Sequence, residues 1–439
     1  MRRLPTRLAT DQAAAGSGQP PVVAGSAAPP VVSVSAAAGR WPGQELLDDP
    51  MLARVLLAAW SGEGCTVVPA CPGAGKSRLI ALLAGALAHR VGLRVAVAAQ
   101  TREQAAELAR RISAVSDRAS LIVAGSGRTP VTVSGLRTVS GRSVRWTRAS
   151  GGEILIGTAA RWLYVDPNLG GADVLLVDEA WQATYADLGA LGALARQVVC
   201  VGDPGQVAPV VTGSTQRWEH QPTGPNQPAP AALLAAHGEA ITVHELTNSW
   251  RLGPQTCALV SKHFYPQMPF ASRRPAEAVI APDGAALSEI CTRPVAASHG
   301  PTDPALLTAL AGRVRELTWH SVSRGGGATV PLTPTDIAVV VPHVAQAGAV
   351  RALLADVPGV LIGTVNALQG LERTAVVALH PMAGYRSAES FALDAGRMCV
   401  TLTRHRAHLS IITDPATEAL LAASDDPHAD AALAVLTDL

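Results

Sequence analysis

Residues 65–77 read CTVVPACPGAGKS, and this stretch decides the fold. Its apolar first half predicts a short buried strand, and the residues after Lys76 predict a helix. Gly73 and Gly75 let the backbone curve tightly, so its N–H groups and the helix N-terminus can face a phosphate. Lys76 offers a point charge for the β- and γ-phosphates of a nucleotide, and Ser77 offers a hydroxyl for Mg²⁺. Because the strand, loop and helix come in this order, we predict a nucleotide phosphate-binding loop rather than a simple glycine-rich turn.

A second apolar run, VLLVDEAWQAT at 174–184, ends on two adjacent acids. Two carboxylates at a strand tip can merely mark the end of the strand. A phosphate-binding loop lies about 100 residues upstream. Together with that loop, the two acids match a nucleoside triphosphatase site, in which one acid binds the metal ion and the other activates the attacking water. We therefore predict that Asp178 orients the Mg²⁺ shell and that Glu179 activates the attacking water, with their strand ending beside the phosphate loop.

The third stretch, VVCVGDPGQVAPV at 198–210, again ends an apolar strand with polar residues. Gln206 stands where its amide could touch a γ-phosphate and the part of the protein that moves when that phosphate leaves. Alone, GDPGQ is a plausible turn. Its position after the two preceding motifs favours a catalytic role for Gln206.

Composition bounds the remaining possibilities. The chain has 439 residues, 48% of them hydrophobic, and a net charge of +1, which predicts a soluble globular protein without a global field for a polyanion. Of 35 basic residues only Lys76 and Lys262 are lysines, so arginine abundance alone is not a phosphate signal. Six scattered cysteines predict neither zinc nor disulfides and favour a cytoplasmic setting. The sequence predicts no membrane span and no signal peptide.

The order of elements predicts an α/β fold with doubly wound parallel sheets. Residues 1–43 are rich in Ala, Gly and Pro and are predicted to be a disordered tail. Two α/β domains are then predicted at 44–250 and 251–439, with a small basic β insertion at about 118–152. Strands in the first domain are predicted, besides that of the phosphate loop, at 94–100, 153–158, 174–179 and 197–203. The stretch from about 267 to 334 is patterned more weakly, and α/β order returns after it.

Taken together, the motifs resemble those of superfamily 1 helicases. VDEAWQAT and VGDPGQVAPV are similar to the branch that contains RNA-surveillance and related DNA helicases, which generally move 5′→3′. The resemblance covers most of residues 60–415, with the motifs in family order. His405 stands where this branch more often has alanine and is similar to the last motif of viral members. The resemblance implies ATP and Mg²⁺ as cofactors and a cleft between two RecA-like domains.

Further residues take roles from the same resemblance. In LTNSWRLGP, Arg251 matches an arginine that reaches the γ-phosphate, and Trp250 matches an aromatic that stacks on the base. In GTVNALQGLE, Gly370 matches a position near the phosphates and Glu372 one near the ribose. In VTLTRHRAHL, Arg404 matches a second arginine finger.

The resemblance also implies a path for a single strand of nucleic acid across the tops of both domains. The residues that match contact positions are Gln100, Thr101, Thr158, Pro342, His343 and Thr364. Each hydroxyl among them could equally be a helix cap or a strand end. The arginine-rich segment adds Arg145 and Trp146 as a possible phosphate contact and stacking platform, with a solvated β-hairpin as the alternative.

The sequence leaves two functional hypotheses of different class. The first is an ATP-dependent helicase or translocase on single-stranded DNA or RNA. The second is a nucleoside triphosphatase whose cycle switches a protein complex, with little or no unwinding. A small-molecule kinase is disfavoured, because it does not explain GDPGQ, SWR and TRHR together.

Overall fold

The computed structural model describes residues 40–123, 133–140, 144–148, 150–325 and 329–439. The predicted tail therefore lies almost wholly outside the described residues, and so does Arg142 of the basic segment. Trp41–Leu439 form one compact unit.

The first part of this unit is built on a parallel sheet whose order is β4-β3-β5-β2-β6-β7-β1-β8. Every strand pair described in it is parallel. Its carboxyl ends therefore share one edge, where the polar ends of the predicted motifs collect. Its strands are β1 (Cys65–Pro69), β2 (Arg94–Ala99), β3 (Ala119–Ile122), β4 (Arg137–Val139), β5 (Glu153–Thr158), β6 (Ala172–Val177), β7 (Ala195–Gly202) and β8 (Thr242–Val243).

Helices cover both faces of this sheet, which explains why its strands are almost continuously apolar. In β2, Val95 and Val97 pack into a core on one face, whereas Ala96 and Ala98 pack into a core on the other. The helices of this part are α1 (Pro50–Ser61), α2 (Lys76–Ala86), α3 (Arg102–Val115), α4 (Ala159–Trp162), α5 (Pro167–Gly170), α6 (Tyr185–Leu191) and α7 (Ala229–His237).

The strand order corrects one sequence prediction. The acidic strand β6 does not end beside the phosphate loop, because β7 lies between β6 and β1. The neighbour of the phosphate loop is therefore the end of β7, which carries Asp203. A parallel strand order follows from the crossover connections and cannot be read from motif order alone.

The basic segment at 118–152 does contain strands, and the structure places them. β3 and β4 pair in parallel with one another and join the edge of the first sheet. The described part of the segment is thus an extension of that sheet and not a separate solvated hairpin.

A second parallel sheet has the order β12-β18-β17-β15-β16. It alternates in the same way: Ala338 and Val340 enter one core, and Val339 and Val341 the other. Its strands are β12 (Ile290–Pro294), β15 (Ile337–Val341), β16 (Leu361–Thr364), β17 (Arg373–Leu379) and β18 (His405–Thr413). Its helices are α8 (Pro254–Phe264), α9 (Pro304–Leu317), α10 (Val344–Leu353), α11 (Ala395–Leu402), α12 (Ala416–Ala422) and α13 (Ala429–Thr437).

The weakly patterned stretch before residue 334 is more ordered than its composition indicates. It supplies β12 and α9, and also a small antiparallel sheet in which β13 pairs with both of its neighbours. β12 is an edge strand in which only Ile290 is buried and the other residues are half-buried or exposed, so it lacks the apolar run of a central strand. The small strands are β9 (Asn248–Ser249), β10 (Ala271–Ser272), β11 (Glu277–Ile280), β13 (Ser321–Arg324) and β14 (Thr329–Pro331).

The predicted fold class, α/β with two RecA-like sheets, is confirmed by these parallel sheets. In the part of the chain that the structure describes, no helix is long and apolar enough to cross a membrane.

Candidate active site

The phosphate loop connects β1 to α2 and is held against the segment that follows β8. Gly73 and Gly75 have φ angles of 78° and 89°, a region that favours glycine. A Cβ on Gly73 would lie 2.5 Å from the Cβ of Arg251, so only glycine fits there. The backbone N–H of Trp250 donates to the Gly73 carbonyl at 2.9 Å. The SWR motif therefore packs directly against the phosphate loop.

Lys76 begins α2, and its ammonium group lies among carboxylates. Its Nζ is 3.3 Å from Asp203 Oδ2 and 4.0 Å from Glu179 Oε1. Burial alone would lower the pKa of Lys76, but the carboxylates of Glu179 and Asp203 outweigh it and raise that pKa. Lys76 is therefore charged, and its nearest partner is Asp203, which the sequence analysis did not single out.

The two acids after β6 are placed differently. Asp178 is buried, and one of its oxygens accepts from the backbone N–H of Glu179 at 3.0 Å. Burial and the neighbouring Glu179 carboxylate raise the pKa of Asp178 to about 7. Glu179 has a φ of 48°, a left-handed conformation that is strained for a residue other than glycine. This conformation turns the Glu179 carboxylate towards Lys76, into the cleft.

Asp203 collects donors from several directions. It accepts from Gln206 Nε2 at 2.6 Å and from the backbone N–H of Gly205 at 3.2 Å. The buried hydroxyl of Tyr265, which follows α8, also donates to it. The Tyr265 ring lies against Gly205, where a Cβ would come within 2.4 Å of that ring. The sequence analysis did not identify either Asp203 or Tyr265 as a site residue.

Two arginines from the SWR and TRHR motifs complete the cleft. Arg251 Nε donates to the Glu372 carboxylate, and its NH1 group donates to the Thr403 carbonyl at 3.4 Å. Arg404 is buried, and it donates to Val400 and Thr403 at the end of α11. Burial and the nearby Arg251 lower the pKa of Arg404 to about 10. A buried and a half-buried guanidinium group at one cleft are suited to an anion with several charges.

A cleft of about 430 Å³ lies between the phosphate loop and the two arginines. Its lining comprises Gly73, Ala74, Gly75, Lys76, Ser77, Arg78, Glu107, Arg111, Glu179, Gln206, Trp250, Arg251, Gly370, Leu371, Glu372, Arg373 and Arg404. The cleft takes residues from the ends of both large sheets. A neighbouring cavity of about 680 Å³ shares Gly75, Arg78 and Trp250 with it. Trp250 is 59% exposed, so its ring is available to a planar ligand group in these cavities. The structure thus brings to this cleft most of the residues predicted for nucleotide and metal, namely Gly73, Gly75, Lys76, Ser77, Glu179, Gln206, Trp250, Arg251, Gly370, Glu372 and Arg404. Asp178 is buried behind them, next to Glu179, and does not line the cleft.

The residues predicted to contact nucleic acid on the first sheet lie at its carboxyl edge. Gln100 follows β2, and its amide donates to the backbone carbonyl of Asp178 at 3.3 Å. Thr101 and Thr158 both accept from a backbone N–H as helix caps, the former on α3 and the latter on α4. Each capping hydroxyl keeps its own proton for a ligand, so their role in binding stays a prediction.

On the second sheet, the residues predicted to contact nucleic acid differ in their exposure to solvent: His343 and Thr364 are half-buried, whereas Pro342 is buried. His343 and Thr364 follow or end the neighbouring strands β15 and β16, in which Val341 pairs with Thr364. Because the Pro342 side chain is buried, it offers no exposed surface for contact with nucleic acid.

In the basic segment, Arg145 is exposed but Trp146 is not a free ring. The indole N–H of Trp146 donates to the Gly171 carbonyl at 2.8 Å, and the ring packs against a buried cluster. The geometry gives Trp146 an anchoring role, because a ring held in this way has lost most of the surface that stacking on a base requires.

Comparison with known proteins agrees with this arrangement. Two family models, both described as an AAA domain, match residues 53–264 and 308–416. The first match contains the phosphate loop and both acidic strand ends, and the second contains β15 to β18.

Similar proteins are described as helicases. A probable helicase of Dictyostelium discoideum is 24% identical over 269 residues, covering 55% of this chain and 25% of its own length. The arterivirus nonstructural protein 10 helicase, solved with DNA, is 15% identical with a TM-score of 0.45, covering 87% of this chain and 65% of that one. The PRRSV helicase is 14% identical with a TM-score of 0.41, covering 82% and 55%.

The chain thus spans about a quarter of the curated relative that it matches and between half and two thirds of these solved structures. The chain therefore contains two AAA-domain matches in chain order, and most of the residues predicted for ATP hydrolysis gather at one cleft.

Proposed function

We propose that this protein is an ATP-dependent translocase or helicase that moves 5′→3′ on single-stranded DNA or RNA. ATP with Mg²⁺ is hydrolysed between two RecA-like domains, residues 44–250 and 251–439. The observation that carries this proposal is the joint lining of one cleft. Lys76 and Glu179 come from the first sheet, whereas Arg251 and Arg404 come from the segments around the second.

A cleft with this composition supports hydrolysis that depends on closure. Arginines stabilise a phosphoryl transition state only when they reach the transferred group, and here Arg251 and Arg404 line the same cleft as Lys76. Glu179 is the base that orients water, because its strained backbone directs the carboxylate into the cleft. Lys76 neutralises the β- and γ-phosphates after it leaves the carboxylate of Asp203.

A carboxylate and a hydroxyl are oxygen donors of the kind that magnesium takes. Asp178 is a buried carboxylate whose pKa is raised to about 7, so a divalent cation would restore its charged form. Ser77 supplies the neutral oxygen that such sites share with the nucleotide. When bound, the ion would offset the negative charge that develops during phosphoryl transfer. Asp178 and Ser77 are the residues that would hold it.

Two side-chain contacts support coupling between the nucleotide and the strand. Gln369 Nε2 donates to Gln206 Oε1 at 3.0 Å, which joins the GTVNALQGLE motif to Asp203 through Gln206. Gln100 bonds to the backbone at Asp178 and lies next to Thr101 on the nucleic-acid edge. Loss of the γ-phosphate would therefore act directly on groups at the proposed strand path. The 5′→3′ direction rests on the resemblance of VDEAWQAT and VGDPGQVAPV to a branch with that polarity.

The decisive experiment measures ATP hydrolysis by the purified chain without a strand, and with oligothymidylate, oligouridylate or blunt duplex DNA. A translocase should be stimulated several-fold by single strands and less by the duplex. Lys76→Ala, assayed in parallel, reports any contaminating ATPase. Equal turnover in every condition would refute the proposal and favour the protein-switch alternative. If single strands do stimulate turnover, displacement of a strand from duplexes with 5′ or 3′ tails assigns the direction of movement.

A further inference from the structure

His343 takes part in an aromatic stack that the sequence did not indicate. The imidazole of His343 and the ring of Phe391 are stacked, with centroids 5.0 Å apart and planes 17° apart. The Arg397 guanidinium lies over the Phe391 ring, 4.1 Å from its centroid. The Tyr385 hydroxyl fixes the edge of His343 through a 2.6 Å hydrogen bond to Nε2. We call His343, Phe391 and Arg397 the HFR stack.

The HFR stack lies at the carboxyl edge of the second sheet. His343 follows β15, and Arg397 NH1 is 3.5 Å from the Asn366 side chain, two residues beyond the end of β16. Phe391 and Arg397 come from the loop after β17 and from α11. Three separate segments therefore converge at this place on the proposed strand path.

The stack is partly open to solvent and carries a positive charge. Phe391 is 37% exposed and the adjacent Val344 is 77% exposed. Arg397 forms no ion pair with a carboxylate among the described residues, so its charge is available to an anion. The negative charge of Glu389 acts to raise the pKa of both His343 and Tyr385, and the Glu389 side chain is itself exposed. A lone solvated acid weakens attraction for a phosphate without blocking stacking on the rings.

We propose that the HFR stack is a nucleobase-stacking site, in which one unpaired base extends the His343–Phe391 stack while Arg397 contacts the adjacent phosphate. This proposal rests on the proposed function and adds to it the residues that hold a base on the second domain. Aromatic rings accept any base, because every base has a π-face, and arginine adds both stacking and charge. The competing role is an internal anchor for the loop between β17 and α11.

Two substitutions distinguish the base-stacking role from the anchoring role, through the affinity for a nucleic-acid strand and the salt dependence of that affinity. Phe391→Leu keeps an apolar side chain but removes the ring, so binding should weaken by about 5- to 150-fold with an unchanged salt slope. Arg397→Gln removes a charge, so the slope of log Kd against log salt should fall by roughly 0.7, the value for one phosphate on a single strand. Trp319→Leu removes a ring that is 80% exposed outside the stack and serves as the matched control.

The probe is oligothymidylate with a single 2-aminopurine, whose fluorescence falls when the base stacks. We expect quenching with the wild type and with Trp319→Leu, and much weaker quenching with saturating Phe391→Leu. Wild-type quenching retained in Phe391→Leu, or an unchanged slope in Arg397→Gln, would overturn the stacking site while leaving the proposed function in place. No binding by the wild-type chain would instead overturn the proposed function itself. If Phe391→Leu fails to fold, the slope of Arg397→Gln decides.

Discussion

Replacing Tyr265 by phenylalanine tests whether the second half of the protein controls the catalytic groups of the first. The change removes only the hydroxyl that donates to Asp203 and leaves the ring packed against Gly205. Asp203 then keeps the donors from Gln206, Gly205 and Lys76. The carboxylate would no longer be held from the side of α8, so Gln206 and Lys76 would lose part of their fixed orientation.

The size of the effect follows from the kind of bond that is lost. Hydrogen bonds to charged groups contribute roughly 1.5–3 kcal/mol, and the remaining donors to Asp203 favour the lower end of that range. If the bond acts in the transition state, about 1.5 kcal/mol corresponds to a roughly tenfold lower kcat. KM for ATP should change by less than about threefold, because no contact to the nucleotide is removed.

The assay combines steady-state ATP hydrolysis with urea unfolding followed by tryptophan fluorescence. Tyr164→Phe is the matched control, since the Tyr164 side chain is 80% exposed. A kcat within about twofold of wild type, together with a free energy of unfolding lowered by about 1.5 kcal/mol, would refute the reasoning. In that case Tyr265 stabilises the fold and does not position Asp203 for catalysis.

Other substitutions test the cleft directly. Lys76→Ala should reduce hydrolysis to background and weaken ATP binding, both measured with radiolabelled ATP. Glu179→Gln should lower kcat by roughly 10²- to 10⁴-fold while ATP still binds, and retained turnover would mean that water is activated elsewhere. Arg251→Ala should lower kcat by about 10³-fold or more with a smaller change in KM, whereas an effect on KM alone would limit it to ground-state binding. Arg404→Lys keeps the buried charge but not the planar fork, so it should recover only part of the loss in Arg404→Ala.

The residues predicted for the ATP site could be found in the sequence because they lie in short motifs with a local physical cause. Gly73 and Gly75 are required by backbone conformation, and Lys76 and Ser77 follow them at a fixed place at the start of a helix. Each apolar strand could also be read, since helices on both faces of a parallel sheet require nearly continuous hydrophobic runs. These features depend on neighbours in sequence, which one chain displays.

Contacts between distant segments could not be predicted in the same way. Tyr265 lies 62 residues after Asp203, and nothing local marks either residue as the partner of the other. Phe391 lies in a loop that contains no recognisable motif, so the sequence did not indicate its contact with His343. Trp146 shows the opposite case, because its arginine-rich context favoured a binding surface and the fold used the ring as an anchor.

Asp203 connects the phosphate loop to groups from the second half of the protein. Lys76 is 3.3 Å from this carboxylate, and the same ammonium group must reach the phosphates when ATP enters. Its departure leaves Asp203 with donors from Gln206 and Tyr265, of which Gln206 also accepts from Gln369. The negative charge then binds more strongly to the two side chains that connect it to the second sheet, because one competing cation has gone. ATP entry would thus tighten the link between the two sheets, and the loss of phosphate would return Lys76 to Asp203 and loosen it.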